Sequence, residues 1–281
     1  MSPIDLHSHS TASDGELAPG AVVAEAAAAG VKTLALTDHD TIFGLDAALQ
    51  ATRVHGMKLI TGVEISVSLD RHTLHVLGLG IDPTAAALVD GLTELQRKRA
   101  VRASAIAAKL ERLGVANALQ RAEDMAAGGQ ITRSHFARLL IEAGIVKDTQ
   151  RAFKRYLGQG RQAYVASQWA HLPDAIEWIH AAGGVAVLAH PFKYPLSRAN
   201  RHRTLKTFRE LGGDAMEVCC GTSSAEEISE SARDALEFGL AGSIGSDYHG
   251  PKQPWAKLGR VAALPAAVTP INVYSQSLLA A

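Results

Sequence analysis

Short apolar segments alternate with helical segments along most of this chain, and this alternation restricts the possible folds more than any other feature. The first hundred residues contain four candidate strands: "SPIDLH", "VKTLALT", "KLITGVEISV" and "HTLHVLGLGI". The pattern returns later with "VAVLAH", "AMEVCC" and "AGSIGS", each of which follows a helical segment. Repeated alternation of helix and strand predicts a mainly parallel sheet, either a barrel or a doubly wound sheet.

A helical and strongly basic segment interrupts this pattern. Residues 84–164 show no strand pattern, and residues 97–164 contain 14 Lys and Arg against 5 Asp and Glu. Because the whole chain is formally neutral, a basic insert implies that the rest of the chain is acidic. The basic residues indicate an anion-facing surface on the insert, and a solvated basic helix surface is the alternative. We therefore expect a barrel built from residues 1–98 and 165–281, which carries a metal centre, and an inserted basic helical domain, residues 99–164, which binds substrate.

Side chains that commonly bind metals follow the predicted strands. In β/α barrels, catalytic groups gather at the C-terminal ends of the strands. Glu64 lies inside an apolar strand, where a carboxylate is unfavourable unless it is paired or bound to a metal ion. Asp38 and Asp40 are interpreted as turn-forming or hydrogen-bonding residues instead. The candidate ligands are His7, His9, Asp14, His39, Glu64, His75, His190, Asp247 and His249.

The residue types restrict the metal and the cellular compartment. Imidazole and carboxylate ligands without thiolate favour Mn²⁺, Zn²⁺ or Fe²⁺, and nine ligands are enough for two or three ions. The two cysteines, Cys219 and Cys220, are adjacent, which is poor geometry for a structural disulfide. With no basic and apolar leader at the N-terminus and no long apolar span, we expect a cytoplasmic protein.

Six segments resemble, in order, the motifs of the polymerase and histidinol phosphatase (PHP) superfamily: "DLHSHSTASDG", "LTDHDT", "GVEIS", "HVLGLGID", "AHP" and "GSDYHGP". The resemblance implies an α/β fold, a distorted (β/α)7 barrel with an inserted all-helical domain, and two or three divalent ions, with Mn²⁺ first. It places one ion on His7, His9, Glu64 and Asp247, a second on Glu64, His75 and His190, and a third on Asp14, His39 and His249. Asp14 stands where some relatives carry His.

The insert segment "ITRSHFARLL" and the later segment "AHPFKYPLSRANRH" resemble the branch of the superfamily that acts on nucleotides and short RNA. This resemblance implies a phosphatase that removes the 3′-phosphate from nucleoside 3′,5′-bisphosphates, with a metal-bound hydroxide as the nucleophile and an unidentified general acid. The alternatives are 5′ to 3′ trimming of short RNA and a phosphatase of the histidinol-phosphate type. A non-catalytic metal-binding module is disfavoured by the complete set of ligands.

The start of one insert helix is the predicted substrate-binding element. Thr132 is a candidate N-cap, so free backbone N–H groups there would bind the 5′-phosphate of the substrate; an ordinary capped surface helix is the alternative. The predicted substrate-binding residues are Arg133, Ser134, His135, Arg138, Lys193 and Tyr194, the last two because they follow His190. The expected partner is a small nucleotide or a short RNA, with no membrane and no protein partner implied.

Overall fold

The structure, a computed structural model, describes residues 2–70, 72–253 and 255–271. Its strands are β1 (Ile4–Asp5), β2 (Thr33–Leu36), β3 (Lys58–Leu69), β4 (His72–Leu79), β5 (Ala170–His171), β6 (Val185–Leu188), β7 (Ala215–Cys220) and β8 (Ala241–Gly245). Its α-helices are α1 (Pro19–Ala28), α2 (Leu45–His55), α3 (Ala86–Glu111), α4 (Ala118–Ala126), α5 (Arg133–Glu142), α6 (Thr149–Ala152), α7 (Leu172–Ala181), α8 (Arg198–Glu210) and α9 (Ala225–Phe238).

Seven of these strands form a nearly closed barrel. They are hydrogen-bonded in the order β1-β2-β3-β4-β6-β7-β8, and the short strand β5 pairs separately with the end of β3. The N–H of Leu6 donates to the carbonyl of Ile244 over 3.0 Å, which joins the first strand to the last. The expected distorted seven-stranded α/β barrel is confirmed.

Strand β4 distorts the barrel because it runs antiparallel to both of its neighbours, β3 and β6. Its first residues therefore lie at the edge where the parallel strands end, and His75 pairs with Ser66 near the end of β3. Its last residues lie at the opposite edge, where α3 begins. An early residue of β4 thus reaches the same end of the barrel as the late residues of the other strands.

Alternation of side chains gives the barrel wall two different faces. Val63, Ile65 and Val67 in β3 belong to the large core that the sheet forms with the surrounding helices. A separate buried cluster takes side chains from almost every part of the barrel wall, including Leu6, Ala35, Ile60, Leu77, Val187 and Ala215. Since side chains in a strand alternate between faces, Glu64 points to the same side as Ile60, into the barrel.

The long helix α3 links two hydrophobic cores. Leu92 and Leu95 in its first half pack into the core around the barrel, while Ile106 and Leu110 in its second half belong to a separate cluster formed by residues between 103 and 163. The change from one core to the other falls near Arg99. The division into domains at this residue stays a prediction.

Helix α6 continues into one turn of π-helix at Phe153–Leu157, a form that occurs often near functional sites. Among the described residues, none of the helices has the length and apolar character that a membrane crossing requires.

The contact between α3 and α7 leaves no room for a side chain at Gly91, because a Cβ there would lie 2.5 Å from the ring of Trp178. We expect Gly91→Ala to lower the free energy of unfolding, since overpacking costs about 1–3 kcal/mol and exceeds the roughly 1 kcal/mol gained in helix propensity. Gly20→Ala in α1 is the matched control, because its Cβ would meet nothing nearer than 3.6 Å. Urea unfolding of both variants tests this, and equal stability of the two would contradict it.

Candidate metal centre

The structure brings all nine predicted ligands together at one end of the barrel. The ligands that follow parallel strands lie at the C-terminal ends of these strands, whereas His75 lies near the beginning of the antiparallel strand β4. Within the described part of the chain, four possible metal-binding groups, in which one ligand atom from each residue lies within 4.8 Å of the others, lie at this end of the barrel: His9–Asp14–His39–His249, His7–Glu64–His190, His7–His9–Asp247 and His39–Glu64–His75. A fifth group, His202–Asp234–Glu237, contains none of the predicted ligands.

Four of these side chains form a cage of the size that a transition metal requires. Nε2 of His7 lies 3.1 Å from Nε2 of His9. Oε2 of Glu64 lies 3.3 Å from the first nitrogen and 3.2 Å from the second, and Oδ1 of Asp247 lies 3.3 Å from both. These five separations, between 3.1 and 3.3 Å, are short enough for the atoms to share an ion, and imidazole and carboxylate donors suit Zn²⁺, Mn²⁺ or Fe²⁺.

Glu64 connects this cage to a second set of histidines. Its Oε2, which faces the cage, is also 3.0 Å from Nδ1 of His39. Its Oε1 lies 2.9 Å from Nδ1 of His75 and 3.0 Å from Nε2 of His190. Two carboxylate oxygens with separate sets of nitrogen partners are the arrangement of a bridging ligand. The resemblance to the PHP superfamily implies that His75 and His190 bind the same ion. Both contact Oε1 of Glu64, but they belong to different possible metal-binding groups.

The third set centres on Asp14, whose two oxygens have different partners. Oδ1 faces Nε2 of His249 at 3.4 Å and Nε2 of His39 at 3.9 Å. Oδ2 accepts hydrogen bonds from the hydroxyls of Thr132 at 3.1 Å and Ser134 at 2.9 Å. The start of α5, predicted to bind a phosphate of the substrate, therefore binds the carboxylate of Asp14 instead. The insert orients a predicted metal ligand.

Two further residues predicted to bind substrate also serve the structure around Asp14. His135 is buried and completes a capping box, in which its Nδ1 accepts from the N–H of Thr132 at 3.0 Å. Burial lowers the pKa of His135 to about 4. Arg138 donates from Nη2 to the carbonyl of Asp14 over 2.9 Å.

Polar atoms without hydrogen-bond partners are concentrated at this site, as a metal centre requires. Of the eight such buried side-chain atoms among the described residues, five belong to predicted ligands: Asp14, His39, Glu64, His75 and His190. Nδ1 of His75 is within 2.9 Å of Glu64 without hydrogen-bonding geometry. Buried nitrogen and oxygen atoms without hydrogen-bond partners are free to bind metal ions. The residues fit a centre of two or more divalent ions.

In this cluster, neighbouring basic side chains stabilise the ionised form of the buried carboxylates. Burial raises the pKa of Glu64, but the neighbouring His39 and His75 lower it further, so that its pKa lies well below the usual range. The pKa of Asp247 is likewise low, because Lys193 and His7 outweigh the effect of burial. Both carboxylates are thus ionised and available as ligands.

The two residues after the His190 motif also contact this cluster. Lys193 donates from Nζ to Oδ2 of Asp247. The hydroxyl of Tyr194 accepts from the N–H of His75 over 2.8 Å, and burial raises the pKa of this phenol well above its usual value. Both side chains lie beside the predicted ligands, where a phosphate group would contact them.

Three arginines beside the cluster carry positive charge that is only partly neutralised. Arg99 pairs with Asp40 over 2.6 Å, whereas Arg102 and Arg133 form no ion pair among the described residues. Burial lowers the pKa of Arg102 to about 9, and nearby Arg133 and Arg99 add to this effect. Arg99 and Arg102 both lie over the ring of Trp169, at 5.0 and 5.2 Å. Arg102 also donates from Nε to the carbonyl of Val165 over 3.0 Å. Half-buried guanidinium groups without an ion pair are suited to bind an anion.

Sequence reasoning missed two parts of the site. Arg99 and Arg102 lie on α3, and no local motif connects them to Arg133. Glu217 is buried in β7 with its Oε1 2.9 Å from Nδ1 of His7. The signal for Glu217 was present, because it is a lone acid in the apolar strand "AMEVCC", the same pattern that identified Glu64.

Comparisons with known proteins agree with this geometry. The model of the PHP domain family matches residues 5–157. The chain belongs to the PHP domain family. It is 45% identical over 270 residues to a 5′-3′ exoribonuclease of Haemophilus influenzae, which covers 95% of this chain and 97% of that protein. It is 42% identical over 272 residues to a 3′,5′-nucleoside bisphosphate phosphatase of Chromobacterium violaceum, covering 96% of this chain and 95% of that one.

A solved structure shares the whole fold. The structure of a Chromobacterium violaceum protein, described as an amidohydrolase with bound sulfate and no metal, superposes with a TM-score of 0.93 at 41% identity, covering 98% of this chain and 97% of that one. Family membership and the relatives' activities identify this PHP-family chain as a hydrolase of phosphoester bonds. PHP phosphoesterases depend on metal ions, and the clusters described above can hold them.

The shared position of Glu64 gives a test based on metal content. We expect Glu64→Gln to lose more bound metal than Asp14→Asn, because Glu64 faces two sets of ligands and Asp14 only one. Metal analysis of both reconstituted variants against wild type measures this directly. Equal losses in the two variants would contradict a bridging role for Glu64.

Proposed function

We propose that this phosphoesterase removes the 3′-phosphate from nucleoside 3′,5′-bisphosphates and releases a nucleoside 5′-monophosphate. The observation that carries the proposal is the presence of two anion-binding positions side by side. One is the cluster of predicted metal ligands, and the other is the pair of guanidinium groups of Arg102 and Arg133, which have no ion pair in the part of the chain that the structure describes. Arg133 stands between Thr132 and Ser134, whose hydroxyls both donate to Asp14, so the two positions adjoin.

The proposed reaction breaks the bond between phosphorus and the 3′ oxygen. A water oxygen bonds to phosphorus in line with this bond, and the 3′ oxygen leaves and takes up a proton. Divalent ions, Mn²⁺ by expectation, would neutralise charge on the phosphate oxygens and lower the pKa of a coordinated water. His7, His9, Glu64 and Asp247 would hold one ion.

The remaining residues would bind and orient the substrate. Arg102 and Arg133 would hold the 5′-phosphate, and Lys193 would place an ammonium group beside the 3′-phosphate. Binding energy from the non-reacting 5′-phosphate then orients the reacting group, so it increases the rate as well as the affinity. A simple phosphomonoester such as histidinol phosphate would leave the arginine position empty.

A second candidate substrate, 5′-phosphorylated RNA, is favoured by the name of the Haemophilus influenzae relative. In such an RNA, the first nucleotide carries a 5′-phosphate and a 3′-phosphodiester, in the same positions as the two phosphates of a bisphosphate. Hydrolysis of the same P–O3′ bond releases a nucleoside 5′-monophosphate and leaves a new 5′-phosphate on the shortened RNA. One site would therefore perform both reactions, and each cut would regenerate a substrate.

The two arginines give a test of substrate selectivity. We expect Arg133→Ala and Arg102→Ala to lower kcat/KM for a nucleoside 3′,5′-bisphosphate by about 10- to 100-fold, since a hydrogen bond to a charged group contributes about 1.5–3 kcal/mol. Activity on a nucleoside 3′-monophosphate should change little, because this substrate lacks the group that the arginines bind. Steady-state phosphate release from both substrates measures the difference.

Arg121→Ala is the matched control, because it removes the same charge from the insert at an exposed ion pair with Glu142. This control should leave the preference for the bisphosphate intact. If the two test variants slow both substrates by the same factor, the arginines do not bind the second phosphate, and the histidinol-phosphate type of activity becomes the better candidate.

A further inference from the structure

Glu217 is a buried carboxylate that contacts two predicted metal ligands and is not among the nine ligands itself. Its Oε1 lies 2.9 Å from Nδ1 of His7. Its Oε2 accepts a hydrogen bond from the backbone N–H of His190 over 2.7 Å. The residue is 2% exposed. A carboxylate at this depth is unfavourable unless its partners repay the lost hydration, and both of its oxygens have such partners.

The contact with His7 determines which ring nitrogen carries the proton. A carboxylate oxygen accepts, so Nδ1 of His7 must be the N–H that donates to it. In the neutral ring that metal binding requires, the lone pair is then on Nε2, the atom that lies 3.3 Å from both Oε2 of Glu64 and Oδ1 of Asp247. Fixing one nitrogen as a donor makes the other a metal ligand and also fixes the orientation of the ring.

The contact with His190 holds an unusual backbone conformation. His190 has φ +29°, a region that non-glycine residues rarely adopt. Its N–H is held by Oε2 of Glu217, while its side chain reaches Oε1 of Glu64 at 3.0 Å. The hydrogen bond thus stabilises a turn that aims a second imidazole at the bridging carboxylate.

The surroundings leave little freedom for this arrangement. Gly245 in the adjacent strand β8 lies so close that a Cβ there would contact the Cβ of His7 and lie 2.9 Å from Oε1 of Glu217. The close contact between His7 and Glu217 therefore depends on a residue without a side chain at position 245.

We propose that Glu217 is a positioning residue of the metal centre, which sets the tautomer of His7 and the backbone at His190 and thereby the affinity for metal. The proposal rests on the metal centre described above and is independent of which phosphoester is hydrolysed. Partners of this kind typically contribute 10- to 100-fold in metal affinity.

The test measures Zn²⁺ affinity of the full chain by competition with a chelator, together with the melting temperature of the metal-free protein. We expect Glu217→Gln to bind Zn²⁺ about 10- to 100-fold more weakly, because an amide can replace only one of the two accepting oxygens. Glu217→Asp, which keeps the charge, should recover part of the affinity.

Asp214→Asn is the matched control for the loss of a carboxylate that contacts both an imidazole and a backbone N–H. Oδ2 of Asp214, just before β7, lies 2.8 Å from Nε2 of His180 and accepts from the N–H of Ala186 over 2.8 Å, and neither partner is a predicted ligand. This variant should lower the melting temperature and leave Zn²⁺ affinity unchanged. If Glu217→Gln and the control both retain wild-type affinity, Glu217 is only a structural residue and the proposal is wrong.

A measurement on the wild-type chain makes the result independent of whether a variant folds. Long-range ¹H–¹⁵N correlation spectra of the zinc-loaded protein should show His7 protonated at Nδ1 and coordinated through Nε2. A proton on Nε2 would overturn the proposal. A wild-type chain that binds no Zn²⁺ would overturn the metal centre itself, and the proposal with it, whereas failure of the substrate assignment alone would leave these results unchanged.

Discussion

The fully buried carboxylate of Glu64 determines much of how this barrel is built. Its two oxygens face the imidazoles of five histidines, at distances between 2.9 and 3.3 Å: His7, His9, His39, His75 and His190. A carboxylate in the interior is unfavourable without such compensation, and the histidines in turn require a negative partner or a metal ion. The strand ends that supply these histidines must therefore lie close together, and the nearly closed barrel places them at one end.

The same requirement accounts for the irregular features of the fold. Antiparallel β4 brings His75 to the common edge, and the positive φ of His190 directs its ring towards Glu64. The insert is also part of the centre, because hydroxyls at the start of α5 hold Asp14 in place. The insert and the predicted metal centre are therefore connected through Asp14.

Local patterns in the sequence predict an α/β sheet and the nine clustered side chains, because strand ends and lone buried acids have local signals, and the resemblance to the PHP motifs implies the seven-stranded barrel. Glu217 carried the same signal as Glu64 and could have been found by it. The arginine site could not, because Arg102 and Arg133 lie on separate helices whose packing no local pattern specifies. The start of α5 is predicted to bind a phosphate, because the sequence does not show that the hydroxyls of Thr132 and Ser134 bind Asp14 instead.

The central claim is that the metal cluster binds the 3′-phosphate while the arginines bind the 5′-phosphate. Hydrolysis of a nucleoside 3′,5′-bisphosphate in H₂¹⁸O, followed by mass spectrometry of all products, tests this claim most directly. The account predicts a nucleoside 5′-monophosphate without label and inorganic phosphate that contains one ¹⁸O atom. Release of a nucleoside 3′-monophosphate would show that the two phosphates bind in the opposite positions and would contradict the account.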